Sequence, residues 1–274
     1  MGGGARRTAD CTAIVTSRPD RLKYSMISVP TLILAAGCGR RLSPLTDELP
    51  KCLLPIGGIS PLEQMLTSLA RLKEISEVSI VVGHAHRRIA SFLESQKLPF
   101  PVRQIFNPQF DAANNIYSAD LGREWCQGGF LLINSDVLFH PRILEIALEP
   151  PAESLLVVDP TLPPRDEAMR VRFTRSRLTA IAKNLDPKTC DGEYIGIAHF
   201  DSSGAAAFFT HVRKILAEGG AGEWYEAAIA RAAKEVPIGR RSTQGLPWIE
   251  IDDPADLDRA AREVLPRLRG VLKK

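Results

Sequence analysis

Residues 31–58 read T-L-I-L-A-A-G-C-G-R-R-L-S-P-L-T-D-E-L-P-K-C-L-L-P-I-G-G, and few folds accommodate that order. A short apolar run, Leu32 to Ala36, stops at Gly37. Its length and its boundary fit a buried strand. Gly37-Cys38-Gly39-Arg40-Arg41 follows, so backbone N–H groups and cationic side chains gather at the strand's carboxyl end. In an open α/β sheet that edge receives ligands. Glycine lets backbone approach an anion, and successive N–H groups form a nest for phosphate oxygens. Pro50-Lys51 brings a further cation toward the same place. Leu42 stands where the dinucleotide fingerprint G-x-G-x-x-G has its third glycine, and no G-K-[ST] closes the loop. Taken alone, Gly37 and Gly39 also suit an ordinary strand–helix turn.

The chain then alternates. Pro61 to Lys73 carries Leu62, Met65, Leu66, Leu69 and Leu72 at helical spacing, with Pro61 suited to a first turn. Val78–Val82 reads as a strand, Ala85–Ser95 as a surface helix, and Val102–Phe106 as a strand. Such alternation predicts a parallel sheet with right-handed crossovers. Asn107 to Ser118 is a loop in which Asn115 or Ser118 can cap the next helix. Its amides can equally read a pyrimidine edge or an acceptor group, because each offers donors and an acceptor. Gly129–Asn134 is a fourth strand, and Asp136 just beyond it falls on the ligand edge of the sheet. From about Leu155 short apolar runs separated by turns predict an added antiparallel section. Helices follow over Ser203–Ala217, Gly222–Lys234 and Pro254–Val264. In Trp248-Ile249-Glu250-Ile251-Asp252 strand alternation brings Glu250 and Asp252 to one face.

The bulk composition bounds the partners. The formal charge is +3, and residues 1–25, with five cations against two acids, carry all of it. The remainder balances 30 against 30, which gives no argument for nucleic acid or a membrane surface. Five cysteines without metal-ligand spacing fit a reduced, cytoplasmic protein. No apolar run approaches the roughly 18 residues of a membrane span, and the basic N-terminus lacks the apolar core of a signal peptide. Met26, directly before the first strand, is a candidate start.

The opening stretch resembles the N-terminal signature of the sugar-phosphate nucleotidyltransferases, L-A-A-G-x-G-x-R-L-x-P-L-T-x-x-x-P-K-x-L-L-P-I-G-G, with Cys38 and Arg41 at variable positions. The N-P-x-F and N-N-I-Y-S spacing of 107–118 and the D-G-E-x-I-G-I-like segment Cys190–Gly196 resemble its phosphocholine-cytidylyltransferase branch. The thymidylyl and uridylyl sugar enzymes carry a glycine-rich loop in place of 107–118. The resemblance implies a Rossmann-like nucleotidyltransferase fold: three layers, α/β/α, around a mixed, mostly parallel sheet, with a small antiparallel acceptor-binding section. It would span residues 26–266, between a disordered extension, 1–25, and a basic, solvated tail, 267–274.

The resemblance also implies roles. Leu34, Ala35, Ala36, Gly37, Gly39, Asn114, Asn115, Ser118 and Ser135 would bind the nucleotide. Arg40, Lys51, Asp136 and Asp252 would serve the reaction, with Asp136 and Asp252 holding Mg²⁺. Lys183 would grip the acceptor's phosphate, with Glu193, Tyr194, Trp248 and Glu250 around it. Ser135 departs from the family's Gly-Asp, so its Cβ bears on nucleotide affinity. Carboxylate ligands without His or Cys suit Mg²⁺. Together with cations and loop amides they suit phosphoryl transfer, which needs positioning and charge neutralisation. The expected reaction moves CMP from CTP to a small phosphorylated or phosphonate acceptor, such as phosphocholine or 2-aminoethylphosphonate, releasing pyrophosphate. Phe110, Tyr117, Tyr194, Trp224, Tyr225 and Trp248 are candidates for an aromatic wall around a quaternary ammonium. Asp111 or Glu193 would suit a primary amine instead. Two alternatives stand: a sugar- or inositol-phosphate nucleotidyltransferase using CTP, UTP or dTTP, and a non-catalytic nucleotide-sensing domain. The second predicts loss of a metal aspartate or of Lys51, and all are present. A monomer or homodimer is expected.

Overall fold

A computed structural model describes residues 28–161 and 167–272; the expected extension 1–25 and residues 273–274 lie outside them. In chain order the elements are β1 (Val29–Ala35), α1 (Pro61–Leu69), β2 (Ile75–Val82), α2 (His86–Glu94), β3 (Val102–Phe106), α3 (Asn115–Gly122), β4 (Phe130–Asn134) and β5 (Val137–Phe139). Next come α4 (Arg142–Leu148), β6 (Leu155–Asp159), β7 (Arg170–Thr174), β8 (Arg177–Ala182), β9 (Gly192–Phe200), α5 (Ser202–Ala217) and α6 (Glu226–Ala232). The last are β10 (Gly239–Ser242), β11 (Trp248–Glu250), α7 (Pro254–Arg259) and α8 (Leu265–Leu272).

The main sheet runs β10-β6-β9-β4-β1-β2-β3. β1 pairs in parallel with β2 and β4, and β2 with β3, as strand–helix alternation requires. β9 inserts antiparallel between β4 and β6 and extends into the β7–β8 hairpin, which is the antiparallel section. Apolar side chains cover both faces. Phe130 and Phe200 of the sheet meet Phe208 and Phe209 of α5 at centroid distances of 5.0–6.0 Å, and Leu62, Met65 and Leu66 of α1 fill the opposite face. α1 starts on a capping box: Ser60 Oγ accepts from the Glu63 N–H at 3.2 Å, and the Glu63 carboxylate accepts from the Ser60 N–H.

A third apolar cluster lies under the opening loop. Leu42, Leu54 and Ile56 meet Leu138, Ile249, Ile251, Leu265 and Leu268 there. It corrects the expected solvated tail. α7 continues through a π-helical turn, Ala260–Val264, into α8, and Leu268 is fully buried. The helical spacing of Val264, Leu265 and Leu268 outweighs the basic residues between them, which face outward. This C-terminal helix therefore buttresses the segment that carries Lys51.

Candidate active site

β1 and β4 lie side by side and end together, Leu34 opposite Asn134. Beyond β1, Gly39 adopts the left-handed conformation (φ +61°) and Thr46 Oγ1 donates to its carbonyl at 2.9 Å, folding the loop back over the strand end. A Cβ at Gly39 would lie 3.1 Å from Thr46 Cγ2 and 3.3 Å from Lys51 Cβ, so this turn requires glycine. At Gly37 a Cβ would meet nothing within 4 Å. Beyond β4, the Ser135 N–H donates to Leu34 O at 3.2 Å, and Asp136 follows at once.

Asp252 arrives from the other end of the chain by strand pairing. β11 runs antiparallel to β5 with Glu250 opposite Val137, and the Ile251 N–H extends the ladder to Asp136 O at 3.0 Å. Alternation buries Ile249 and Ile251 and turns Glu250 and Asp252 the other way. Asp253 caps α7, while Asp256 accepts from the Asp252 and Asp253 N–H groups at 2.9 and 3.2 Å, fixing the backbone at Asp252.

Between the two aspartates stands Lys51. Its Nζ is 2.7 Å from Asp136 Oδ2 and 2.9 Å from Asp252 Oδ1. Burial alone would lower the lysine, yet the two carboxylates raise it above its ordinary range, so it stays charged. Burial would raise Asp252, but the Lys51 ammonium, then Arg41 and Lys183, hold it below the ordinary carboxylate range. Carboxylate oxygens of Asp136, Glu250 and Asp252 lie within 4.8 Å of one another, and Asp136 Oδ1 is buried without a donor among the described residues. Three carboxylates grouped this closely fit a divalent cation. Glu250, expected near the acceptor, thus joins the carboxylate cluster.

These groups line a cleft of about 590 Å³. Leu34, Ala35, Ala36, Gly37, Gly39, Arg40, Lys51, Asn114, Asn115, Ser118, Ser135, Asp136, Lys183, Tyr194, Glu250 and Asp252 all border it. Two expected acceptor residues do not. Glu193 is buried in β9 opposite Asp159 and Arg170, and the Trp248 indole donates to Asp159 at 2.6 Å. Strand register decides both, and it cannot be read from a local motif. The α3 cap is Asn114, whose side chain accepts from the Asn115 N–H at 2.7 Å; neither Asn115 nor Ser118 takes that place. Asn115 Oδ1 accepts from the Tyr225 N–H at 2.8 Å, and Ser118 Oγ from the Asn107 amide at 2.9 Å. Asn115 therefore ties α3 to the segment before α6, and Ser118 ties it to the loop after β3.

Arg41, counted only among the turn's cations in the sequence, gains definite partners here. It bridges Glu167 at 2.6 Å and Asp252 at 3.1 Å, while Arg40 stands exposed at the rim. Of the six aromatic candidates only Phe110, Tyr194 and Trp224 line the cleft, and Tyr225 is fully buried. Lys183 Nζ lies over the Trp224 ring, 4.6 Å from its centroid. Arg170 fixes its backbone, donating to Lys183 O and Leu185 O at 2.5 and 3.2 Å. Among the described residues no helix is long and apolar enough to cross a membrane.

Residues 30–148 match the family model described as Nucleotidyl transferase. The bifunctional IPC transferase and DIPP synthase of Aquifex aeolicus is 28% identical over 245 residues, which cover 88% of this chain and 53% of that protein. The CMP-5'-(3-aminopropyl)phosphonate synthase of Streptomyces rubellomurinus is 31% identical over 138 residues, 50% of this chain and 22% of that protein. The chain thus spans about half the length of the first relative and less of the second. The inositol-1-phosphate CTP transferase from T. maritima superposes with a TM-score of 0.74 at 20% identity, over 89% of this chain and 98% of that one. Over residues 30–148 the chain is thus similar to the Nucleotidyl transferase family, and its relatives include cytidylyltransferase-like proteins.

Proposed function

We propose that this chain transfers CMP from CTP to a small phosphorylated or phosphonate acceptor and releases pyrophosphate. The observation that carries the reading is the convergence of Asp136 and Asp252 on Lys51, with Glu250 clustered beside the two aspartates, next to the glycine turn and at the carboxyl ends of β1 and β4. Asp136 and Asp252, with Glu250 in reach, would hold Mg²⁺, which would supply charge neutralisation and alignment of phosphate oxygens. The chain's own groups do the rest. The loop N–H groups after β1 cradle phosphate, and the amides of Asn114 and Asn115, with Ser118, face the base. Arg40 and Lys51 balance charge that develops on the α-phosphate and the departing pyrophosphate. Lys183 holds the acceptor, whose phosphoryl oxygen attacks the α-phosphorus as the bond to pyrophosphate breaks. That oxygen is already largely anionic, since the second phosphate pKa is about 6, so no general base is required.

The names of relatives support CTP and a phosphorus-bearing acceptor: one is a CMP-phosphonate synthase and another a CTP transferase for inositol 1-phosphate. The latter favours inositol phosphate as the second reading. A cytoplasmic setting belongs to the same proposal, since the four described cysteines are free thiols. A screen for pyrophosphate release across CTP, UTP and dTTP with phosphocholine, 2-aminoethylphosphonate and inositol 1-phosphate tests it. CTP with one acceptor should stand out and require divalent metal. Equal, acceptor-independent breakdown of all three nucleotides would refute the reading.

A further inference from the structure

Glu226 opens α6 immediately after Trp224 and Tyr225, and no role above uses it. It is only 5% exposed, yet it lines the cleft together with Lys183, Tyr194 and Trp224. Its Oε2 is shut off from bulk water and meets no donor among the described residues. A buried carboxyl oxygen without a donor is unfavourable, and native structures rarely keep one without a reason. Packing offers none here, since a glutamine or leucine of similar size would fill the same space without a charge to bury. The cleft does offer one: a ligand that brings the missing donor.

The chemistry of that ligand follows from what Oε2 lacks. It needs a hydrogen-bond donor, and a carboxylate in a poorly solvated site is best met by a donor that is also cationic. A trimethylammonium head carries charge but no N–H. A polyol carries O–H donors but no charge. A protonated amine carries both. We propose that Glu226 sets acceptor specificity by accepting an N–H from a protonated amine, while the acceptor's phosphoryl end meets Lys183. This rests on the reading of the cleft as a nucleotidyl-transfer site and names the class of acceptor: short aminoalkyl phosphates or phosphonates. The aromatic surroundings agree, for Trp224 already holds one ammonium, that of Lys183, against its face. Burial pushes the Glu226 carboxyl up to about 7, while its own backbone N–H, Tyr225 and Lys183 favour its charged form and Asp136 opposes it. An arriving cation therefore meets a group that ionises readily around neutral pH.

Calorimetric titration of the intact protein with 2-aminoethylphosphonate, its N,N,N-trimethyl derivative, ethylphosphonate and inositol 1-phosphate tests the assignment. The amine should bind about ten- to a hundred-fold more tightly than ethylphosphonate, the range of one hydrogen bond to a charged group. The trimethyl form should lose most of that advantage, and Glu226→Gln should remove it. The wild-type ligand series decides the matter even if the variant fails to fold. Equal binding of amine and ethylphosphonate, equal binding of amine and trimethyl form, or tighter binding of inositol 1-phosphate would overturn the assignment. Turnover separates this from the parent reading. If no acceptor yields pyrophosphate from CTP, the transfer reading falls while the binding contrast still judges Glu226. If pyrophosphate appears and the contrast is absent, Glu226 alone is misassigned.

Discussion

Replacing Lys51 by methionine keeps the side-chain stem and deletes the ammonium that joins Asp136 to Asp252. The lysine side chain is 17% exposed and each aspartate 20%, so the pairs at 2.7 and 2.9 Å are mostly, not wholly, withdrawn from water. Breaking a buried ion pair from one side costs about 3–5 kcal/mol because a charge is left behind. Residual solvent contact, and the option of protonating one carboxylate, reduce this to about 2–3 kcal/mol here. The variant should recover on adding a divalent ion, since the same oxygens can take it up; at ten times its Kd that ion returns about 1.4 kcal/mol. In the wild type the ammonium competes for those oxygens, so the gain should be smaller. Urea denaturation at pH 7, in EDTA and in Mg²⁺, measures all four states. The wild type should also lose stability as pH falls through the lowered Asp252 pKa, because a depressed carboxylate contributes stability above its unfolded value of about 3.9. Lys51→Met should show less of that acid-induced loss at Asp252, with Arg41 and Lys183 still beside it. A variant as stable as the wild type in EDTA, with Mg²⁺ stabilising only the wild type, would refute the view that lysine and metal share these carboxylates.

The glycines of the opening turn should separate. Gly39→Ala should lower stability by about 1–2 kcal/mol in urea denaturation, from its left-handed backbone and its crowding against Thr46 and Lys51. Gly37→Ala should stay within about 0.5 kcal/mol of the wild type, because its added methyl meets nothing. For Glu226 the folded pKa of about 7 lies above the ordinary 4.5, so its protonation contributes stability below pH 4.5 that is lost as pH rises through 7. Glu226→Gln should therefore gain on the wild type by up to about 3 kcal/mol between pH 4.5 and 8, read from paired denaturation curves.

Much of this was legible in the sequence because it is local. The run into Gly37, the alternation through β3 and the position of Asp136 past β4 each rest on period, length or a boundary residue. The E-I-D alternation likewise placed Glu250 and Asp252 on one face. Long-range register was not legible. Glu193 and Trp248 stand off the cleft because β9 and β6 pair as they do, with Asp159 receiving the indole. Arg41 gained a role only because Glu167 and Asp252, distant in sequence, fold onto it. Glu226 gave no signal, since an acid at a helix start is ordinary and only its burial marks it out. In the tail, basic charge masks the spacing of Leu265 and Leu268 that buries one face of the helix.

The central claim is that CMP becomes joined to an acceptor's phosphorus under the control of carboxylates from two distant parts of the chain. Phosphorus NMR of the protein with CTP, Mg²⁺ and each acceptor in turn reads this directly. Free pyrophosphate and a new pair of coupled resonances from a CMP–acceptor linkage should grow together, and Asp252→Asn should slow both by roughly 10²–10³-fold. CTP that stays intact or decays without any linked product, or linkage that forms at the wild-type rate in Asp252→Asn, would contradict it.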